Sequence, residues 1–597
     1  MVCARHWLSF SADFVILPVY QSFFMSVIDW IVLIVTLVAI ILYGLYKSRS
    51  EKNLESYFLL NRSSSWYLIL LGIMGTQASA VTFLSAPGQA YTDGMRFVQY
   101  YFGLPLAMVV LCITFVPVFH KLKLFTAYEF LEKRFDGKTR TFTSLLFLLQ
   151  RGLSTGISIS APSIILSSLL GWDILWTNML MGGLLIIYTV TGGARAVAYT
   201  QQIQFIIIIA GMGIVGYTVV HLLPAHIGLS DALHIGGKAG KLNVITSGTT
   251  EKGFQWNDRY NIWSGIIGGF FLQLSYFGTD QSQVGRYLTA KSTRESKISL
   301  LLNGLVKIPM QFGILLLGVL IFSYYQFAKE PLFFNQTQLD LLSKTKYADS
   351  LKIVTREYDQ LQALKIAQMN PTADGKTENR MREGLTMQYA QKKQADLRAT
   401  IQRWLKDKDV KGEANDTNYI FLRFVVDHLP KGLVGLLIAV IFLSAWGSVA
   451  ASLNALSSST INDLHKRWVK KPLGEKKEFQ YSQLYTLVWG VFCVVIAQLA
   501  YNIGNSLIEA VNVLGSLFYG VILGIFLVAF YVKKVGASAV FISAVFIEIC
   551  VISIHVLNQK EILHISFLWL NAIGALGVIL LSNIIERFRH TTTQIGG

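Results

Sequence analysis

Residues 66–90 read WYLILLGIMGTQASAVTFLSAPGQA, an apolar run interrupted at its middle by Gly72, Gly75, Thr76, Gln77, Ser79 and Thr82. The run is long enough to cross a hydrocarbon core, which takes about 20 mostly apolar residues. Irregular backbone at membrane depth is tolerated only where it is buried in protein or lines a cavity that uses the freed polar groups. A second run, 261–284, has the same character, with Gly268, Gly269, Gln273, Ser275, Tyr276, Gly278, Thr279 and Asp280 crowded together. Two polar, glycine-bearing segments five spans apart fit an inverted repeat whose broken first helices meet near the bilayer midplane. Ordinary small-residue helix packing also favours glycine and serine, and spacing alone does not choose between the two.

Outward from these segments the chain repeats the pattern. Of 597 residues, 53% are hydrophobic and 15% charged, too apolar a balance for a soluble core. Apolar runs fall at 27–46, 66–90, 97–118, 141–170, 174–191, 201–222, 261–284, 298–326, 431–460, 481–501, 506–531, 535–556 and 564–585. The fold class is therefore all-α and polytopic, with about 13 transmembrane helices. The formal charge of +17 could suggest nucleic acid, but the bases sit in short connectors, where insertion bias and anionic lipid explain them. Basic connectors alternate with poor ones. Lys47 and Lys52, Lys121 to Arg140, Arg286 to Lys297, Lys466 to Lys471, Lys533 and Lys534, and Arg587 and Arg589 mark the cytoplasmic side. That puts the amino terminus outside and the carboxyl terminus inside a cell inner (plasma) membrane.

The cysteines Cys3, Cys112, Cys493 and Cys550 have no pairing or metal-ligand spacing and read as small apolar fillers. No phosphate-cradling loop or hydrolase motif is evident, so an enzyme is a poor reading, and no cofactor is expected. Residues 1–26 form an amino-terminal extension for which two readings stand, a true start at Met25 or a short amphipathic helix. Residues 27–65 hold the first peripheral helix and its loop, and residues 223–260 an exoplasmic loop. A polar insertion at 328–430 is exoplasmic. Within it Tyr347, Leu351, Val354, Tyr358 and Leu361 recur at steps of four and three, the seam of a paired helix. Asn370, Pro371, Asp374 and Gly375 supply a turn, and Met381, Leu385, Leu397, Ile401 and Trp404 pack back. A helical hairpin cap without chemistry of its own is the expected result.

Motifs in order along the chain resemble the sodium/solute symporters, which include the sodium/glucose cotransporters. They are Gly75 to Leu84, Tyr128 to Phe135, Gly192 to Val197 with Thr200 and Gln204, Gly285-Arg286 with Ala290-Lys291, and Leu453-Asn454 with Ser457 to Ser459 and Asp463. The resemblance covers 27–585 outside the insertion. It implies a five-plus-five inverted repeat, with residues 66–222 as the first core repeat and 261–531 as the second. Two peripheral helices at 532–585 and a cytoplasmic tail at 586–597 complete it.

It also implies a sodium ion as coupling ion, held by the carbonyls of Gly75 and Ala78 and by Ser444, Gly447 and Ser448, the oxygen chemistry that suits a hard cation. Gly447-Ser448 departs from the family's adjacent hydroxyls, and Ser444 lies one turn away on the same face. Gln201 stands where the family has an acid, and Ala450 and Ala451 where further hydroxyls would be, so a single sodium site is expected. The same losses leave proton coupling or sodium independence open.

By the same resemblance Tyr276 is the aromatic inner gate and Gln77, Thr82, Tyr101, Gln273, Lys307 and Asn512 line the solute pocket. Thr82 and Tyr101 replace the amide and carboxylate of the sugar carriers, which disfavours galactose-like sugars, and Gly156 to Pro162 looks like the branch carrying monocarboxylates, vitamins and iodide. A physical hint is separate from the resemblance. Arg151 lies deep in its span, where an arginine costs at least about 2.5 kcal/mol, and needs a partner or an anion. With Lys307 similarly deep, a carboxylate-bearing solute would gain from the pair, whereas an internal salt bridge or snorkelling would satisfy either residue alone. The expected protein is a symporter working as a monomer in lipid by alternating access. A sodium-driven sugar carrier, a transporter-like sensor and a channel are the competing readings.

Overall fold

The expected spans are helical, though not one helix to each span, in the computed structural model, which describes residues 25–48, 59–369, 377–469, 474–499 and 506–595. The expectations for the first 24 residues and for the turn at 370–375 lie outside these. In chain order the helices are α1 (Val27–Ser48), α2 (Trp66–Gln77), α3 (Ala80–Asp93), α4 (Met95–Leu122), α5 (Glu129–Arg134), α6 (Gly137–Leu170), α7 (Ile174–His221) and α8 (Leu229–Lys238). Then follow α9 (Gly269–Thr279), α10 (Gln281–Leu288), α11 (Thr293–Phe327), α12 (Gln336–Leu342), α13 (Ala348–Met369), α14 (Thr377–Leu405) and α15 (Ile420–His428). The last five are α16 (Leu433–Ser459), α17 (Glu475–Leu499), α18 (Leu507–Tyr531), α19 (Ala537–Gln559) and α20 (Phe567–Ile595). Ten helices among the described residues are long and apolar enough to cross a membrane, and α2 with α3 forms an eleventh crossing bent by 57°.

Two expected spans take a different form. The connector read between 174–191 and 201–222 is helical, so that α7 runs unbroken through both apolar stretches, Ile174–Val190 and Val197–His221. Gly192-Gly193 ends no helix there because nothing in the segment, proline least of all, removes a backbone donor. The run at 261–284 is divided into a π-helical turn (Ser264–Gly268), α9 and α10, with extended backbone at Asp280 (φ −79°, ψ 118°). It is thus a broken helix like α2/α3.

Backbones approach closely where glycine allows it. A methyl group on Gly318 of α11 would lie 2.0 Å from the Pro87 carbonyl oxygen of α3, and one on Gly435 of α16 2.1 Å from the Asp29 carbonyl oxygen of α1. The Asp29 carboxylate also accepts from the Gly432 and Gly435 N–H groups (2.6 and 3.2 Å), holding α1 against the start of α16. Gly318→Ala is expected to lower the thermal midpoint in detergent, the equivalent of about 1–3 kcal/mol for an overpacked contact. Gly183→Ala, with open space around the new methyl, should leave it unchanged or raise it.

The insertion has its own apolar core, in which Leu351, Val354, Tyr358 and Leu361 of α13 pack with Leu397 and Ile401 of α14, and Tyr347 stacks on Trp404 (5.1 Å). Side-chain contacts of Met381 and Leu385 lie outside the described residues. The foot of the insertion is part of the transporter core. Asn418 accepts from the Ser85 hydroxyl of α3 (2.7 Å) and from the Leu507 N–H at the start of α18 (3.4 Å).

Candidate transport site

A helix leaves its last four carbonyls without partners inside it, and α2 ends in mid-protein, at Gln77. Ala78 accordingly leaves helical geometry (φ −84°, ψ 58°), Ser79 is extended, and α3 restarts at Ala80. The freed oxygens are met by hydroxyls. Thr82 donates to the Gln77 carbonyl (2.8 Å), Ser444 to that of Ala78 (2.6 Å) and Ser448 to that of Thr76 (3.0 Å). Ser444 and Ser448 are one turn apart on α16 and so present one face to the break.

Of the five expected sodium positions, Ala78 and Ser444 therefore meet directly, and Ser448 reaches the same break through the Thr76 carbonyl. Gly75 and Gly447 have a different place. Methyl groups on them would lie 3.1 Å from Cβ and 3.0 Å from Cγ of Gln201, so both glycines make room for that side chain. The Gln201 amide donates to the Thr76 hydroxyl (3.3 Å), while its own oxygen and that of Gln204 are buried with no hydrogen-bond partner. The Thr76 carbonyl was missed by the sequence reading. The rule that the last turn's carbonyls are free would have found it only with the helix end fixed to the residue.

The second break faces the first. Asp280 caps α10 by accepting from Ser282 N (2.8 Å), and Arg286 of α10 donates to the Thr76 hydroxyl of α2 (3.2 Å). Asp280 also forms an ion pair with Arg151 of α6, and Tyr519 of α18 joins both, with its hydroxyl 2.6 Å from Asp280 Oδ2 and 2.9 Å from Arg151 Nη2. Arg151 thus has a partner within the protein, the alternative that the sequence left open. Its charge is matched, and its Nε is buried with no hydrogen-bond partner.

All eight expected solute residues line one cavity of about 120 Å³: Gln77, Thr82, Tyr101, Arg151, Gln273, Tyr276, Lys307 and Asn512. Thr76 and Ser448, which bond across the break, line it too. Tyr276 accepts from Gln283 (2.8 Å), and its ring lies 5.5 Å from the Arg151 guanidinium and 6.0 Å from the Tyr519 ring. Tyr100 donates to the Asn512 oxygen (3.1 Å), leaving the Asn512 amide nitrogen free, as is the Gln77 oxygen. Lys307 is 1% exposed, its amino nitrogen has no hydrogen-bond partner, and the Tyr101 ring is 5.3 Å away.

The chain is similar to several known transporters. The sodium/sialic acid symporter SiaT of Proteus mirabilis is 26% identical over 93% of this chain and 94% of its own length. The human sodium/iodide cotransporter (24%) and human sodium-coupled monocarboxylate transporter 1 (25%) each align with 82% of this chain, which spans 63% and 66% of their lengths. Among solved structures, a Na+-coupled sialic acid symporter in a substrate-bound outward-open state superposes with a TM-score of 0.71 at 24% identity, over 94% of this chain and 98% of that one. The sequence model of one family, described as "Sodium:solute symporter family", matches residues 57–338 and 403–546, passing over the α13/α14 hairpin. With two broken helices around one cavity and this family match over most of its length, the chain belongs to the sodium:solute symporter family and is a membrane transporter, not an enzyme.

Proposed function

We propose that the protein imports a small carboxylate-bearing solute together with one sodium ion. One observation carries the reading: the Ser448–Thr76 contact across the broken helix lines the same cavity as the unpaired Lys307 amino group. A cation between α2 and α16 and an anion at Lys307 would then occupy one space and stabilise each other. The cation's ligands are the carbonyls of Ala78 and Thr76 and the hydroxyls of Ser444 and Ser448. The unpartnered amide oxygen of Gln204, beside Gly447, supplies the oxygen that the family's second hydroxyl would. Gly75 serves by admitting Gln201.

Lys307 takes the solute's carboxylate, the free Asn512 nitrogen and Gln77 oxygen take its polar groups, and the Tyr276 ring closes the inner side. Sodium favours the outward-open state and solute permits closure, in a monomer of the cell inner membrane with its amino terminus outside.

Uptake in proteoliposomes tests this with pyruvate, lactate, N-acetylneuraminate, iodide and galactose, with and without an inward sodium gradient. A carboxylate should accumulate only with the gradient. Sodium-independent uptake, or accumulation of galactose alone, would refute the reading. Ser448→Ala is expected to raise the sodium concentration for half-maximal uptake roughly 10- to 150-fold, the equivalent of a charge-assisted contact worth about 1.5–3 kcal/mol.

A further inference from the structure

Lys307 is not the only unsatisfied group on its helix. Asn303 and Gln311, one turn to either side, are completely buried, and in each both amide atoms lack a hydrogen-bond partner. Residues four apart share a helix face, so these three side chains form one polar stripe inside the protein. The stripe continues toward the Thr293 end of α11 through the buried hydroxyls of Ser299 and Ser296, and Ser296 Oγ lies 2.8 Å from Nε2 of His120 on α4. From Lys307 to Ser296 is roughly 16 Å at the helical rise. Buried amides with both donor and acceptor free call for water, the one small partner that satisfies both.

We propose that this face of α11 is a proton path, so that each carboxylate enters with one proton as well as its sodium. This rests on the carboxylate reading above. An ammonium buried at Lys307 is stable only against an anion. The groups facing it across the cavity are Tyr100 and Tyr101 of α4, Arg151 of α6, Tyr276 of α9 and Tyr519 of α18, and among the described residues no carboxylate lines the cavity. Arg151 is already matched by Asp280; α2 and α3 present only Thr76, Gln77, Ser79, Val81 and Thr82. No protein anion replaces the solute when it leaves. The Lys307 amine takes a proton from the outer solution as the carboxylate enters, forming an N–H bond. Once the solute has left inward, that bond breaks and the proton passes along water held at Asn303 toward Ser296 and His120, the end that the basic connector 286–297 places in the cytoplasm. The amine is regenerated, and one proton has moved with the solute. Arginine at this position cannot complete the cycle, because a guanidinium keeps its proton.

The test uses proteoliposomes of the full chain loaded with a lumenal pH dye, under a sodium gradient, with the carboxylate they accumulate and with protein-free liposomes subtracted. The wild type should acidify the lumen by about one proton per solute. In Lys307→Arg the ratio should fall to zero in whatever uptake remains. Asn303→Leu supplies an independent reading, with solute affinity kept and turnover lowered at least about 10-fold, and with proton and solute fluxes falling together. Solute uptake without acidification in the wild type overturns the proton path alone, as does Lys307→Arg with an undiminished ratio or Asn303→Leu with normal turnover. A chain that accumulates no carboxylate at all overturns the carboxylate reading instead.

Discussion

Lys307→Met should raise the carboxylate concentration for half-maximal uptake by roughly 30- to 5,000-fold, because truncating one partner of a buried charge pair costs about 2–5 kcal/mol. Methionine has nearly the same length and fills the same space against Tyr101, so the loss is that of the charge. The direction of the stability change makes the prediction specific. In the free protein Lys307 is a buried amine with no hydrogen-bond partner, and replacing it with an apolar chain removes the cost of burying an unsatisfied polar group. Its thermal midpoint without solute should therefore stay level or rise while uptake collapses. A lower midpoint together with normal uptake would make Lys307 a structural residue.

Asp280→Asn should behave in the opposite way. The carboxylate is fully buried, pairs with Arg151, accepts from Tyr519 (2.6 Å) and caps α10 through Ser282. Asparagine can still cap the helix, so what is lost is the countercharge, and a buried guanidinium left alone costs about 3–5 kcal/mol. The thermal midpoint of the solubilised protein should fall markedly. Adding Arg151→Gln should restore part of the loss, since the double variant buries no charge at that position. Additive losses in the cycle would show that Arg151 and Asp280 do not act as a pair.

The contrast between these two cations explains what was legible in the sequence. Both breaks could be read, because Gln77, Ser79, Thr279 and Asp280 are expensive in an apolar run unless a cavity uses them. Ser444 and Ser448 followed from family likeness and one helical turn. The depth of Arg151 was legible as well, but its partner was not. Asp280 is 129 residues away, and the two meet only because α9 stops where it does, beside α6 and α18. Thr76 escaped notice because a carbonyl ligand carries no side-chain signature. The unbroken α7 escaped because a glycine pair reads alike as a turn and as a close helix contact. The foot of the insertion was invisible for another reason. Asn418 is one polar residue among many in a polar loop, and only packing against Ser85 sets it apart.

Solute binding to the purified protein at zero and at saturating sodium measures the thermodynamic linkage between the cation at the broken helix and the anion at Lys307. Coupling between two such sites is typically about 1–3 kcal/mol, so sodium should tighten binding of the transported carboxylate roughly 5- to 150-fold. Ser444→Ala with Ser448→Ala should abolish that difference while leaving the sodium-free affinity in place. An affinity that is the same with and without sodium in the unaltered protein would contradict the account.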